Sequence, residues 1–347
     1  MSELDIAEIQ KTNKKRWLVY IAVLAILLFF SSVVALRAGY ANLSLTDVIK
    51  ILFLGDGNDT ERWIVIDYRL PRIVLAAIVG AALALAGAAM QGIFRNSMAS
   101  PSVLGISNGA AFGASLSMVF GISIISGQFS TSAMAFIFAF ISLLLVYSIS
   151  RTRNGYVPVE TLLLAGIAVG ALFSALISAM QYFAGDQLSG IVFWLMGSLN
   201  SSSWSKVSIA FLPILIGSVL ILGLSRELNA MTVGEEQASN LGINVNRSRL
   251  LLLLAASLIT AMAVSMTGTI GFVGLIVPHI MRMFVGPDHR ILLPASILGG
   301  AIFLILADTV ARIIISPAEM PVGIITSAIG APFFIYLLIS RKKSMGW

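Results

Sequence analysis

The chain contains no cysteine, which removes disulfides, thiolate metal sites and cysteine nucleophiles at once. His279 and His289 are its only histidines, so a histidine-rich metal site or a histidine base has almost nothing to be built from. Charge is scarce as well: 11% of the 347 residues are charged, against about a quarter in soluble globular domains. No G-x-x-x-x-G-K-[ST] phosphate loop occurs, so nucleotide hydrolysis, if it powers this protein, belongs to another chain. Acids within the apolar runs are few, Asp308 being the clearest. Proton-driven transporters keep Asp, Glu and His relays in their spans, so this scarcity argues against an ion-coupled secondary transporter. A membrane-embedded hydrolase needs a Ser/His, paired-Asp or metal constellation, and none is visible.

What the chain has in abundance is apolar sequence. It is 58% hydrophobic, and its mean hydropathy is +0.96. A composition of this kind places most of the chain in a bilayer. The net charge of +6 then reads as basic loops on one membrane face rather than as a nucleic-acid surface.

Ten apolar runs follow a polar tail, Met1–Arg16. They lie near 17–36, 69–91, 101–120, 132–150, 159–183, 206–225, 250–267, 270–285, 291–315 and 322–339. The first is too long for a signal-peptide core and is expected to stay as an anchor. Residues 39–67 form a polar excursion with an amphipathic stretch at 45–54 and a turn at Gly55-Asp-Gly-Asn-Asp59. The expected organisation is one transmembrane domain, 17–340, between short tails at 1–16 and 341–347.

Ten spans put both termini on one side. Lys11, Lys14, Lys15, Arg16, Arg95, Arg151, Arg153, Arg226, Arg247, Arg249, Arg282, Arg290 and the cluster Arg341, Lys342, Lys343 fall on that side. The other side has fewer, chiefly Arg37, Lys50, Arg62, Arg69, Arg72 and Lys206. The positive-inside rule therefore makes the termini cytoplasmic.

Runs two, three and five are studded with small residues, among them Gly80, Ala84, Gly87, Gly105, Gly109, Gly113, Gly166 and Gly170. Such surfaces let helix backbones approach closely, and packing is the expected use of each glycine. Met180, Met196, Met262 and Met266 are expected as ordinary apolar packing, and His279 as a packed or locally hydrogen-bonded histidine. Met180, Gln181 and Tyr182 could face a pathway.

Arg226 to Arg249 is the longest polar run between spans, and on this assignment it is cytoplasmic. Thr232-Val-Gly-Glu235 has the capping-box pattern. The short helix it predicts passes through Glu235, Glu236, Gln237, Ala238 and Leu241 and stops at Gly242. The residues alone leave two readings, an ordinary solvated loop and a docking element.

At the other face, Asp308 and Arg312 are spaced to pair on one helical turn. Arg312, Arg69 and Arg72 all fall at the outer ends of their runs, against the charge trend.

Several stretches, in order, resemble one family. They are Asp67-Tyr-Arg-Leu-Pro-Arg72, Met90-Gln-Gly-Ile-Phe-Arg-Asn96, Leu104-Gly-Ile-Ser-Asn-Gly109, Phe193-Trp-Leu-Met-Gly-Ser198 and Glu235-Glu-Gln-Ala-Ser-Asn-Leu-Gly242. Gly271-Phe-Val-Gly-Leu-Ile-Val-Pro-His279, Ala307-Asp-Thr-Val-Ala-Arg312, Pro321-Val-Gly-Ile-Ile-Thr326 and Gly330-Ala-Pro-Phe-Phe334 follow. The set is similar to FecCD-type permeases, the membrane subunits of bacterial and archaeal ABC importers for iron-siderophores, haem and cobalamin.

The resemblance covers roughly Trp17 to Lys343. It implies an all-α, type II ABC importer permease fold of about ten transmembrane helices, in the bacterial or archaeal cell (inner) membrane. It further implies a homodimer with a path between the two copies, two ATPase subunits carrying ATP and Mg, and an external substrate-binding protein. No cofactor, metal or nucleic acid is implied for this chain, and it is not itself an enzyme. Glu235, Glu236, Gln237, Ala238, Leu241 and Gly242 would couple to the ATPase. Arg69, Arg72 and Arg312 would receive acidic groups of the binding protein, a contact that guanidinium geometry suits. A ferric siderophore is the expected cargo, with haem, cobalamin and molybdate as alternatives.

The charge count carries a topology test. Cysteine placed at Ser239 should be shielded from an impermeant thiol reagent in intact cells, while one at Asn58 should label; external labelling at 239 overturns the assignment.

Overall fold

The computed structural model describes residues 3–39, 43–153 and 156–344; the outermost parts of the two expected tails, 1–2 and 345–347, lie outside the described residues. Among the described residues the chain is helical, without a strand. Helix α1 (Glu3–Arg37) takes in most of the stretch expected as a polar tail. No Gly or Pro interrupts residues 3–38, so nothing stops the helix before Gly39.

Two short capped helices follow, α2 (Leu45–Ile49) and α3 (Asp59–Arg62). Ser44 and Asn58 each close a capping box, with Asp47 and Glu61 answering three residues on. The helix continues through π-type turns at Trp63–Arg69 into α4 (Leu70–Ile93). Pro71 lacks an N–H and sits in the first turn of α4, where that loss is tolerated, while Leu70 N–H donates to Val65 O, five residues back in the wider turns.

The bundle continues with α5 (Ile106–Phe120), α6 (Ser130–Ser150), α7 (Val159–Phe183), α8 (Leu188–Met196) and α9 (Trp204–Gly223). The polar run folds as two short helices, α10 (Ser225–Val233) and α11 (Glu235–Asn240). Helices α12 (Val245–Thr267), α13 (Val273–Val285), α14 (His289–Ile313) and α15 (Val322–Ser344) complete the chain. Among the described residues eight helices are long and apolar enough to cross a membrane. The third and eighth expected spans are shorter, Ile106–Phe120 and Val273–Val285. Their N-terminal parts leave the α-helix. Pro101–Leu104 is a 3-10 turn ending at Gly105 with φ 70, and α13 starts only after Phe272, held at φ 67.

Helices α4 and α12 form the centre, each 78% buried along its most apolar window, whereas α1 is 11% buried and peripheral. Helix α14 runs antiparallel to α4. Arg72 at the start of α4 meets Asp308 near the end of α14, Gly80 meets Gly300 midway, and Gly92 meets His289 at the far end. At the crossing, a Cβ on either Gly80 or Gly300 would strike the other's carbonyl, and Gly87 stands likewise against Gly274 of α13. The helices touch backbone to backbone, the packing use expected of these glycines.

Gly80→Leu or Gly300→Leu should therefore cost about 3 kcal/mol or more, the upper end for overpacking, because backbone is the obstacle. The thermal midpoint of detergent-purified protein measures it. Gly223→Ala, where the added atom meets open space, should leave the midpoint unchanged.

Candidate functional site

The structure gathers the sequence-predicted residues into two clusters, one at each end of the α4–α14 pair. At the first end, Arg69, Arg72 and Arg312 come together but lie buried, with 3%, 1% and 4% of their surfaces exposed. Two of them serve the C-terminus of α1. Arg69 Nη1 donates to Leu36 O (2.7 Å) and Arg37 O (3.2 Å), while Arg312 donates to Ala38 O (3.1 Å) and Ala35 O (3.0 Å). These are carbonyls that a helix end leaves without intrahelical partners, at the negative pole of its dipole.

Arg72 is held by acids. Its Nε and Nη2 grip Asp308 in a fork, the shortest contact being Nη2 to Oδ1 at 2.8 Å. Nη2 also reaches Asn200 Oδ1 (3.0 Å), and Nη1 reaches Glu319 Oε2 (2.7 Å). Tyr68 donates its hydroxyl to Glu319 Oε1 (3.1 Å) and stacks on Trp63. The expected Asp308–Arg312 pair is present, with Arg312 Nε 3.3 Å from Asp308 Oδ2. That is an ion-pair distance without hydrogen-bond alignment, so Arg72 is the main partner of Asp308. The sequence reading missed Arg72's acids because Asp308 lies 236 residues away and Glu319 sits in a connecting loop.

At the other end the expected capping box does not form. Thr232 closes α10 and turns its hydroxyl to Asn229 O (2.7 Å), and α11 starts at Gly234 with no side-chain cap. A helix ending before Gly242, whose φ is 81, is found as expected. Of the six residues expected to couple, Glu236, Gln237, Leu241 and Gly242 are exposed, and Ala238 is buried. Glu235 turns inward. Arg249, itself buried, donates Nη2 to Glu235 Oε1 (2.5 Å) and Nη1 to Val157 O (2.8 Å). Tyr156 donates to Glu235 Oε2 (3.2 Å), and its ring faces the Arg249 guanidinium at 5.8 Å. Arg95 Nη2 stands 4.0 Å from Glu235 Oε1, and Arg95 Nε donates to Met231 O (2.7 Å).

Helix α10 has its own tie. Asn229 Nδ2 donates to Asp288 Oδ1 (2.8 Å), and Asn229 Oδ1 accepts from the His289 backbone N–H (2.8 Å). Burial alone would raise the Asp288 carboxyl, but hydrogen bonds from Arg290 and Asn229 outweigh it and bring the pKa down to about 2. Beside α11 lies an open cavity of about 530 Å³ lined by Tyr156, Glu235, Glu236, Ser239, Asn244 and Asn246. Exposed Val233 and Leu241 flank this polar segment. Local sequence gave no sign of Arg249, Tyr156 or Asn229 as anchors, because each partner comes from another element.

Met180 is buried, in line with packing, while Tyr182 is 85% exposed. His279 packs edge-on against Phe333. Among the described residues no cluster of His, Cys, Asp and Glu could hold a metal ion.

Removing one partner of a buried charge pair costs about 3–5 kcal/mol. Asp308→Asn, which strips Arg72 and Arg312 of their shared carboxylate, should lower the thermal midpoint accordingly. The paired change Arg72→Met with Asp308→Leu should recover part of the loss, because the Arg72 charge is removed together with its main partner, while Arg312 keeps its carbonyl acceptors Ala35 O and Ala38 O but loses its carboxylate.

The sequence pattern of the FecCD transport family matches residues 24–340. The cobalamin import system permease protein BtuC of Halobacterium salinarum is 49% identical over 82% of this chain and 75% of its own length. The hemin transport system permease protein HmuU of Yersinia pestis is 41% identical over 314 residues, which cover 89% of this chain and 93% of its own length. A solved structure of a metal-chelate type ABC transporter, in an inward-facing conformation, superposes with a TM-score of 0.82 at 37% identity, covering 92% of this chain and 98% of that one.

Proposed function

The chain belongs to the FecCD transport family and is a membrane permease, and from that premise we propose how it is driven, what it docks and what it carries. The observation that carries the reading is the pairing of an anchored polar segment at one end of α4 and α14 with an arginine cluster at the other. Helix α4 spans 24 residues, roughly 36 Å at 1.5 Å per residue, which is membrane thickness.

The α10–α11 segment is the proposed cytoplasmic docking element for two ATPase subunits, which supply ATP and Mg. Its exposed face offers Glu236, Gln237 and the apolar knobs Val233 and Leu241, while Glu235 and Asn229 tie it to the bundle. A push on it is thereby delivered to α12 through Arg249 and to α14 through Asp288.

A second copy of the chain is the proposed partner along α7. That helix exposes Ala168, Ala171, Ser174, Ala175 and Ser178 between the bulkier exposed Leu164, Ile167, Leu172 and Tyr182, and the small residues allow close approach of a second helix. The arginine end is the proposed seat of an external binding protein. Three guanidinium groups there face two carboxylates, Asp308 and Glu319, so the cluster carries excess positive charge that suits acidic groups.

The cargo proposed is a metal chelate. Cobalamin and haem, named for two relatives, are both metal tetrapyrroles, which sets a tetrapyrrole ahead of the ferric siderophore expected from sequence. Small, weakly polar path residues leave selectivity to the binding protein.

Reconstitution tests the drive. The chain alone should hydrolyse no ATP, and vesicles with its ATPase and binding protein should take up labelled cyanocobalamin only with internal-face ATP. Leu241→Asp should weaken ATPase association by about 2 kcal/mol, roughly thirtyfold, as for an interface anchor. Uptake driven by a proton gradient with no ATPase present overturns the reading.

A further inference from the structure

Arg72 presents a difficulty for any acidic partner, because only 1% of its surface is exposed. Every edge of its guanidinium is occupied. Nε and Nη2 are spent on Asp308 and Asn200, and Nη1 on Glu319 and the Tyr68 hydroxyl. The two carboxylates are not equivalent. Asp308 is 2% exposed and shared with Arg312, so it is fixed within the bundle. Glu319 is 23% exposed, on the segment joining α14 to α15, and its carboxylate closes the outer edge of Arg72.

We propose that Glu319 is an internal stand-in for a partner's carboxylate: it occupies Arg72 Nη1 at rest and swings out when an acidic group from outside takes its place. The proposal rests on the acidic-docking reading given above and adds the residue that gates it. Exchange of one carboxylate for another leaves the charge at the buried guanidinium unchanged, so the step avoids an unpaired buried cation. A neutral or basic surface cannot make the exchange, and the gate thereby selects for acids.

The movement required is local. Met320 N–H donates to Ala311 O (3.1 Å), which fixes the backbone beside Glu319 and leaves its side chain to rotate. Two contacts hold the resting position, Arg72 Nη1 (2.7 Å) and the Tyr68 hydroxyl (3.1 Å). Tyr68 is itself steadied by stacking on Trp63. Removing either contact, from the Glu319 side or the Tyr68 side, should favour the open state.

The test uses the full chain in nanodiscs and dye-labelled hexaglutamate as probe, with hexalysine as control, read by anisotropy at low ionic strength, where exposed charge is least screened. Hexaglutamate should bind Glu319→Gln about tenfold more tightly than wild type, since the competing resting state no longer withholds the binding-competent one. Tyr68→Phe should lie between the two. Arg72→Lys, which keeps the charge beside Asp308 but loses the outward donor, should bind least. Thermal midpoints of all variants are compared, and Glu319→Gln and Tyr68→Phe alter no deeply buried charge. Equal binding by wild type and Glu319→Gln, with loss in Arg72→Lys, overturns the stand-in and leaves acidic docking intact. Failure of hexaglutamate to bind Glu319→Gln, or binding indifferent to Arg72→Lys, removes acidic docking at this cluster and the stand-in with it.

Discussion

The fork between Arg72 and Asp308 is the contact on which one whole end of the bundle depends. Both groups are almost without solvent, 1% and 2% exposed, so each is tolerable only because the other is there. The fork forms because α4 and α14 run close enough for these side chains to meet, and they do so because Gly80 and Gly300 carry no side chain where each faces the other's carbonyl. Arg312 shares Asp308 and carries the arrangement to α1, whose last carbonyls it and Arg69 satisfy. A peripheral helix is thus attached to the core by hydrogen bonds in addition to the packing of Leu28, Ala35 and Leu36, apolar burial alone supplying little net attraction between helices surrounded by lipid tails.

The opposite end follows the same rule with different residues. A polar segment cannot enter the hydrocarbon, so α10 and α11 lie across the helix ends. Loose, they could transmit nothing. Glu235 gripped by Arg249 and Tyr156, and Asn229 gripped by Asp288 and His289, make them part of the bundle. Closely packed helices have few intermediate arrangements between discrete ones, and a segment anchored at two points can bias which arrangement is occupied.

Much of this was legible in the sequence, and the exceptions have physical causes. Hydropathy located the spans, because a bilayer demands long apolar runs. It did not reveal that the third and eighth are short, since residues 101–105 and 268–272 are compatible with an apolar run while Gly105, Gly268 and Phe272 break the helix. The Thr232–Glu235 pattern was locally sound but failed: Gly234 takes the cap position and the Thr232 hydroxyl bonds backward into α10. Helical spacing found Asp308 with Arg312, the weaker pair. The stronger one, Asp308 with Arg72, closes over 236 residues and is invisible to any local pattern.

The same contrast explains why the molecule's drive is easier to read than its cargo. Moving a charged or polar group into a bilayer protein costs so much that each one must be paired, and the pairs therefore trace the parts that hold and move. Arg72, Arg249, Asp308 and Glu235 stand out for that reason. A cargo path needs the opposite property, surfaces that bind weakly enough to let a bulky chelate leave. On the proposed path along α7, the exposed alanines and serines, set among Leu164, Ile167 and Leu172, would distinguish one chelate from another poorly. On the docking proposed for the arginine end, selection would fall to contacts made before entry, where an external protein presents or withholds a carboxylate.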